Sequence, residues 1–560
     1  MPTTPSKEPR FALRTIVLPL LIALSAIPYI HQLGFYSDDW GYEASLLQYQ
    51  SGSVWSSFQF LVSSDGSVRV RPVQALDLAL SFKAFGLNPL PYHIVGTLVL
   101  ALTSVILYCI LKDLEIGSGI ALALAAVYGM LPHYSTDRFW IASQQADLCM
   151  LFALLGIYAI FHLTRPQATC KSCWGVLTAA SFTLSLLSYE VSLGLIAATL
   201  GVASLRLLRA APQATRDNAT AKRWIAASTL LLLLVGIAKS AMQDRIVFHH
   251  HLLHFLGSLW KITAHALGQA VTFNLWSYGL HLPWVIVALW RQSTLDGTAV
   301  GVAVACGTLL TVALWADRGG KIWSAIANIK LIAIGFALHF LGIFLFARDT
   351  GFDLSLPGLN NRVVIASALG TASICVGVLG LISRFLTRHA TVRWRVFSVL
   401  IGIVCALYSL VVSGIASYWV DSAMQQAQIG QIIKANVPPP PPGSVLLLDG
   451  YCRYDGPAPV METDWDTSGF LQIFFNDFSI KGDVISKNAH FGETAVDTTE
   501  YGGAEGHYPY NKKLFVYNVR SHSLTAFDSP KAAANYLQAE NPSQDSGCPT
   551  TQDGDGVKIY

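Results

Sequence analysis

Residues 1–420 are dominated by long apolar stretches with few charged positions. A bilayer core about 30 Å thick needs about 20 apolar residues per helix. Stretches that approach this requirement lie near 12–30, 93–111, 118–132, 146–163, 174–189, 190–205, 225–241, 297–315, 326–346, 363–383 and 396–416. Two more, 256–275 and 277–290, are interrupted or short. The pattern predicts a mostly α-helical, polytopic membrane bundle of about 11 to 13 spans.

The pattern changes after residue 420, where short apolar runs alternate with polar segments. Residues 444–449, 473–475 and 514–519 are typical of strands, and 530–538 of a short helix. A run of prolines at 438–442 favours stiff polyproline II. The predicted organisation is a membrane domain over 1–420 with a first outer loop at 31–92, a proline-rich linker over 421–443, and a soluble α/β domain over 444–560.

Composition supports this division. Of the 560 residues 53% are hydrophobic and only 13% are charged, whereas soluble domains average about 25% charged residues. A soluble enzyme, a disordered chain and a nucleic-acid binder are therefore excluded. Residues 421–560 hold 17 of the 34 acidic residues but only 9 of the 37 Lys and Arg residues. The membrane part is accordingly basic, which suits contact with anionic membrane lipids and not with nucleic acid.

The basic residues also predict the orientation. Lys7, Arg10 and Arg14 precede the first span, and cytoplasmic loops carry an excess of Lys and Arg. Counting spans from a cytoplasmic N-terminus places 31–92, 133–145, 347–362 and the acidic tail on the outer face. With its compact loops, we interpret the chain as a protein of the bacterial inner membrane, with its site and C-terminal domain in the periplasm.

The most informative polar group follows the first span, where Asp38 and Asp39 lie between Ser37 and Trp40. Ionisable groups beside hydrocarbon are costly and frequently functional. A carboxylate here can take a proton from an acceptor hydroxyl or hold a divalent metal such as Mg²⁺ or Mn²⁺. The structural alternative is that Asp caps a short interfacial helix.

Arg69 and Arg71 lie further along the same loop. A guanidinium group binds phosphate oxygens in a planar fork. Two arginines near an acidic pair therefore suit a lipid-phosphate leaving group opposite a base. The alternative is that both arginines anchor the loop at lipid headgroups.

Several short motifs occur in a characteristic order. Asp38-Asp39 is followed by Arg71-Pro72-Val73, and then by residues 85–93, Phe-Gly-Leu-Asn-Pro-Leu-Pro-Tyr-His, which lead into the second span. This order resembles the GT-C glycosyltransferases of the protein O-mannosyltransferase and aminoarabinose-transferase type. Residues 131–142 resemble the second outer loop of that family, and Ser188-Tyr189-Glu190 its Ser-x-Glu element. The similarity in motifs covers roughly residues 1–205. Beyond them, only the pattern of spans is similar.

The resemblance implies an integral membrane glycosyltransferase. Such an enzyme moves a hexose or pentose from a polyprenyl-phosphate donor, with inversion at the anomeric carbon. By position, Asp38 or Asp39 is the general base or the group that orients the acceptor. We favour Asp38 as the base and Asp39 as its structural or metal-linked neighbour, since many members have Asp-Glu here. The acceptor is left open as a lipid, a glycan or a protein, and a divalent metal is the only cofactor considered.

A departing phosphate calls for positive charge where water is scarce. The candidate phosphate-binding residues are Arg69, Arg71, Arg138, Arg348 and Arg362. Weaker candidates for sugar or acceptor contacts are Glu190, His93 and Asp147. Local ion pairs, interfacial anchors and helix caps are the structural alternatives for these residues.

Two cysteine pairs stand out. Cys452 and Cys548 both lie in the predicted outer tail, where an oxidising compartment would favour a disulfide between them. Cys170 and Cys173 form a lone C-x-x-C motif. Without a second pair nearby, this motif does not predict a zinc site.

Two other functions remain as alternatives. A polymerase or ligase of surface polysaccharide uses similar donors but usually places its chemistry in a large late outer loop. A transporter or flippase is expected to carry charges deep in its spans and broken helices in matched halves. Neither a P-loop nor a strand-borne G-x-G-x-x-G motif occurs, so nucleotide-driven chemistry lacks support.

Overall fold

The computed structural model describes residues 9–49, 52–165, 168–209, 215–242, 261–292 with short gaps, 295–317, 323–346, 358–485, 489–500 and 503–540. The gaps within 261–292 are 262, 270, 273–275, 277 and 278. Arg348, Cys548 and half of the segment 256–275 lie outside the described residues. The expectations placed on them therefore stay predictions.

The described part of residues 1–436 is helical. Its helices are α1 (Pro9–Ala26), α2 (Asp38–Gln48), α3 (Val54–Ser64), α4 (Gly66–Arg69), α5 (Pro72–Phe85), α6 (Pro89–Asp113), α7 (Ser118–Met130), α8 (Thr136–Phe139), α9 (Gln144–Leu163), α10 (Lys171–Ser188), α11 (Leu193–Arg209), α12 (Thr215–Met242), α13 (Leu282–Gln292), α14 (Gly297–Trp315), α15 (Ala325–Ile343), α16 (Ala368–Leu386) and α17 (Ala390–Asn436). All the clear apolar stretches of the sequence are helices here. The chain is a multi-pass, mostly helical membrane protein.

Seven of the described helices are long and apolar enough to cross a membrane, namely α6, α9, α12, α14, α15, α16 and α17. Helix α1 contains a shorter apolar segment, Thr15–Ala26, and α13 contains another. Helices α7, α10 and α11 pack within the bundle and are also largely apolar. The total of 11 to 13 spans therefore remains a prediction for the whole chain.

The last span does not end where the linker was expected to begin. Helix α17 runs for 47 residues without interruption, about 70 Å at 1.5 Å per residue. Its end is held because Ile429 and Ile433 are buried against the apolar core of the C-terminal domain. The expected linker over 421–443 is thus corrected: 421–436 is helix, and only the segment with the prolines is extended.

The C-terminal domain is a small α/β unit. A four-stranded sheet has the order β4-β1-β8-β9, in which β1 (Val445–Asp449) pairs in parallel with β4 (Lys481–Val484) and β8 (Leu514–Asn518). The remaining elements are β2 (Tyr454–Asp455), β3 (Ala458–Pro459), α18 (Asp464–Phe475), β5 (His490–Phe491), β6 (Ala495–Glu500), β7 (Gly503–Pro509), β9 (Ser523–Ala526) and α19 (Pro530–Glu540). The parallel β1–β4 pair is joined through α18, as parallel strands require a crossover.

The strand expected at 473–475 is the end of α18. Thr463 and Asp466 form a capping box at the start of this helix, a local signal that outweighs the β-propensity of the following aromatic residues. Phe470 is buried in the domain core and Phe474 packs against that core. Near the start of α10, Cys170 and Cys173 are joined in a disulfide.

Candidate functional site

The predicted site residues converge at the end of the bundle that carries the C-terminal domain. The first loop brings the start of α2 and the turn before α5 to this end. The segments 131–143 and 358–364 join them, and Asn361 links the two by accepting a hydrogen bond from the Thr136 backbone at 3.2 Å. The ends of α10 and α12 complete the group. Acids and arginines far apart in the sequence thereby become neighbours.

Asp39 is held by the backbone. Its carboxylate accepts hydrogen bonds from the Tyr36 N–H at 3.0 Å and from the Ala142 N–H at 2.7 Å. Burial raises the pKa of Asp39 well above its usual value, although these N–H groups oppose the rise. Asp39 therefore ties the first loop to the 131–143 segment and has little capacity left for a ligand.

Asp38 is different. It is only half-buried and makes no hydrogen bond or ion pair with the part of the chain that the structure describes. Burial, followed by the charge of Glu462, raises the pKa of Asp38 to about 6, against the lowering effect of Arg362 and Arg71. A carboxylate with this proton affinity and an open face is suited to act as a base near neutral pH.

Arg71 lies beside two residues from the end of α10. Its guanidinium carbon is 4.4 Å from the centre of the Tyr189 ring, and its Nη2 is 3.6 Å from Glu190. The Nε of Arg71 is buried and has no hydrogen-bond partner within the described residues. An unused guanidinium donor at a buried position indicates room for an additional anionic ligand.

Glu190 is the counter-ion of this group. Lys239, near the end of α12, forms an ion pair with Glu190 and donates a hydrogen bond to the Leu186 carbonyl at 2.8 Å. Glu190 therefore lies between two cations, Arg71 and Lys239. Its expected contact with sugar or acceptor stays a prediction.

Arg362 also lies in electrostatic range of Asp38. It stacks over Trp140 with its guanidinium carbon 5.1 Å from the ring centre, and it donates to the Leu359 carbonyl at 3.0 Å. Its charge acts on Asp38 and also on Asp137. Arg362, one of the expected phosphate-binding residues, thus lies between the first loop and the 131–143 segment.

Two of the expected phosphate ligands are turned elsewhere. Arg69 is exposed and donates to the carbonyls of Val62 and Ser63, where it caps α3. Arg138 points into the bundle, where it donates to the Gly129 carbonyl. Of the expected phosphate-binding residues, Arg71 and Arg362 lie in electrostatic range of Asp38, whereas the guanidinium groups of Arg69 and Arg138 are held by helix-end carbonyls. The physical reason is that helix-end carbonyls compete for guanidinium donors.

His93 and Asp147 are buried below the site. The Nε2 of His93 is 3.0 Å from the Gly34 carbonyl, which fixes the start of the first loop. Asp147 lies in the first turn of α9, in electrostatic range of Arg138 and Asp137. Both residues support the loops around the site, and neither is brought to its open face.

The residues at the site do not fit a divalent metal. Both carboxylate oxygens of Asp39 accept backbone N–H donors. No group of three or more His, Cys, Asp or Glu side chains with metal-binding geometry occurs among the described residues. Hard divalent cations take six or more oxygen ligands. We therefore derive no step through a metal.

An apolar cavity of about 360 Å³ opens between α6, α7, α9, α11, α15 and α16. One end is lined by Leu195 and Leu341, close to where α11 follows Glu190. The other end is lined by Arg206 near the opposite face. Val202, part of the lining, is half exposed on the outside of the bundle, so the cavity reaches the lipid-facing surface.

Sequence reasoning missed two residues at this site. Lys239 lies in the apolar stretch 225–241, and the only signal for a functional role was a charged residue within that stretch. Glu462 belongs to the soluble domain, and its approach to Ser37 depends on how the domain docks. No local pattern could have found Glu462.

No protein-family model matches the chain, and no curated protein matches it. Among solved structures, the chain is similar to ArnT from Cupriavidus metallidurans, whose crystal structure contains undecaprenyl phosphate. The two chains are 13% identical, the match covers 86% of this chain and 87% of ArnT, and the TM-score is 0.36. A similarity at this TM-score does not support a functional argument.

Proposed function

We propose that this protein is a membrane glycosyltransferase that moves a sugar from a polyprenyl-phosphate donor to an acceptor hydroxyl. The reaction takes place at the end of the bundle that carries the C-terminal domain, which we assign to the periplasmic face of an inner membrane. The single observation that carries the proposal is the juxtaposition of the half-buried carboxylate of Asp38 with the guanidinium group of Arg71. The apolar cavity is lined by Leu195, five residues after the Glu190 that pairs with Arg71.

Each part of the donor has a matching region. The polyprenyl chain is apolar and suits the cavity that begins at Leu195 and Leu341. The phosphate would lie at Arg71, whose Nε lacks a partner within the described residues. Lys239 and Arg362 add positive charge on either side. In the absence of donor, Glu190 neutralises Arg71 and Lys239, and phosphate would compete with it for them.

The transfer is a single displacement. The acceptor oxygen attacks the anomeric carbon while its proton passes to the carboxylate of Asp38. The bond from the anomeric carbon to the phosphate oxygen breaks, and its electron pair stays on that oxygen. Polyprenyl phosphate leaves, and its charge is stabilised by Arg71 and Arg362. Attack opposite the leaving group inverts the anomeric configuration.

Binding of the donor headgroup can be tested without knowing the sugar. The thermal unfolding midpoint of the detergent-purified protein is measured with a polyprenyl phosphate and with the polyprenol of the same length. We expect stabilisation that depends on the phosphate, because ligand binding to the folded state raises its stability. Equal effects of both compounds would remove the phosphate site.

The reaction itself is tested in membranes supplied with radiolabelled polyprenyl-phosphate sugars. Transfer that depends on the protein, together with release of polyprenyl phosphate, is the expected result. Movement of the donor across the liposome membrane in the absence of acceptor, as fast as sugar transfer, would instead favour a flippase.

A further inference from the structure

The C-terminal domain is packed directly onto the helix that begins with Asp38. The Trp40 ring is 5.1 Å from the Phe470 ring of α18, and Trp40 Nε1 donates to Gln426 at 3.1 Å. A Cβ placed on Gly469 would lie 2.3 Å from the Trp40 carbonyl oxygen. Such a close approach leaves no freedom for the domain to slide over α2, so its side chains have fixed places relative to the site.

One of those side chains is an acid. Glu462 is 1% exposed, and its carboxylate accepts hydrogen bonds from Ser37 Oγ and from the Tyr454 hydroxyl. Arg453 donates to the Glu462 carbonyl, and the Glu462 N–H donates to Asp466 at 2.8 Å. A buried carboxylate is costly to desolvate. A neutral glutamine could keep both contacts by accepting from one hydroxyl through Oε1 and donating to the other through Nε2, so domain docking alone does not require an acid here.

The residue that Glu462 holds has an unusual backbone. Ser37 has φ 46°, in the left-handed region, which costs a non-glycine residue free energy and persists only where its surroundings impose it. Ser37 directly precedes Asp38 in the chain. The hydrogen bond to Glu462 therefore fixes the point from which the Asp38 side chain projects.

From this arrangement we propose that Glu462 is a positioning residue for Asp38: the soluble domain anchors Ser37 through it and places a second negative charge near the base. The catalytic meaning of this assignment rests on the proposed function. The domain is then part of the active site, and not a passive appendage at the membrane surface.

The electrostatic surroundings of Asp38 agree with this role. Acidic and basic groups from the first loop, the 358–364 turn and the C-terminal domain face Asp38. These groups and the neighbouring titratable residues of α2 are Asp39, Tyr42, Asp65, Arg71, Arg362 and Glu462. After burial, Glu462 is the largest contribution that raises the pKa of Asp38, while Arg362 and Arg71 lower it. A like charge nearby favours the protonated acid, so removal of the Glu462 charge should weaken the base.

The test measures protonation of Asp38 directly and needs no sugar. A hydrophobic carbodiimide adds to protonated carboxyl groups, and mass spectrometry of the full-length protein after digestion reports the modified fraction at each pH. The signal that disappears in D38N is that of Asp38. Glu462→Gln should move the labelling midpoint to lower pH and reduce labelling at pH 6 roughly twofold or more. Glu493→Gln, the same change at an exposed residue of the same domain, should leave the curve in place.

Two further variants separate charge from fold. Glu462→Asp keeps the charge and should keep a labelling curve closer to that of the unmodified protein than Glu462→Gln does. Ser37→Ala removes the hydrogen bond but no charge, so it should lower turnover while the labelling midpoint stays within experimental error. Unfolding midpoints of all variants report any loss of folding.

The outcomes are distinguishable. An unchanged Asp38 labelling curve in folded Glu462→Gln overturns the proposal, whatever the transfer assay shows. Normal sugar transfer in D38N would instead remove the proposed base, while a shifted labelling curve would still establish the coupling between Glu462 and Asp38.

Discussion

Two acidic regions lie at the same end of the bundle and differ in what surrounds them. Around Asp38 the carboxylate is half-buried, accepts no hydrogen bond within the described chain and is flanked by Arg71 and Arg362. Asp137 and Asp147, 1% and 2% exposed, are sealed inside the bundle, in electrostatic range of the partly buried Arg138. The residue types are the same, and the difference in access separates a group that can exchange protons with a substrate from a group that can only support the fold.

The sealed region explains how the open one is held. Burial and the charge of Asp147 raise the pKa of Asp137 well above its usual value, while Arg362 and Arg138 oppose the rise. Thr136, next to Asp137, donates to the Gly358 carbonyl at 3.1 Å. The buried polar cluster thereby connects the 131–143 segment to the turn that carries Arg362, so it positions that arginine beside Asp38.

Single substitutions of the acids test most directly whether solvent access distinguishes the two regions. Asp38→Asn should lower the transfer rate by about 10²- to 10⁴-fold, the usual contribution of a general base. Asp137→Asn is the matched change in the sealed region and should lower the rate far less than Asp38→Asn does, because it acts on the reaction only through the position of Arg362. Initial rates of transfer from radiolabelled polyprenyl-phosphate sugars measure the loss in each variant. Similar losses in both variants would show that access does not distinguish the two regions.

Arginines of the first loop give the next largest effect. Arg71→Gln should reduce kcat/KM by about 10- to 100-fold, because charge-assisted hydrogen bonds contribute about 1.5–3 kcal/mol. The same change should abolish the phosphate-dependent stabilisation by polyprenyl phosphate. Arg69→Gln is the control two positions away and should change either measurement by less than about twofold. A larger loss in Arg69→Gln than in Arg71→Gln would place the phosphate elsewhere in the loop.

The pH dependence sharpens the role of Asp38. The carboxylate must be deprotonated to accept a proton, and burial with the Glu462 charge raises its pKa to about 6. The rate should therefore rise with pH and reach half its maximum near pH 6. From pH 5 to pH 7 this amounts to an increase of about tenfold. The kcat/KM profile measures it, and a rate that is flat over this range contradicts Asp38 as the base.

The smallest effect concerns the counter-ion of the donor site. Glu190→Gln removes the charge that competes with phosphate for Arg71 and Lys239. We expect polyprenyl phosphate to bind a few-fold more tightly, with a modest loss of stability because two cations lose their partner. Titration of the unfolding midpoint with ligand measures both quantities. Weaker binding in this variant would indicate that Glu190 contacts the donor itself.

Much of the fold could be predicted from local pattern. Most apolar stretches became helices within a few residues of their expected ends, because a bilayer-length run of apolar residues has few other solutions. The exceptions are α12, which begins ten residues before the expected 225, and α17, which runs on to Asn436. The linker was wrong over 421–436, since Ile429 and Ile433 find their partners in a distant domain. The strand at 473–475 was wrong because a capping box that begins ten residues earlier, at Thr463, sets the helix.

The sequence by itself determined that this is a multi-pass membrane protein and marked Asp38, Asp39 and five arginines, Arg71 and Arg362 among them, as the groups to examine. Both conclusions follow from local chemistry: apolar length matches the bilayer, and charges beside hydrocarbon need a reason. Only the tertiary structure decided that Asp39 is bound by backbone N–H groups, that Arg69 turns away, and that Glu462 lies against Ser37. These depend on contacts across hundreds of residues, where packing selects one partner among many that the sequence permits.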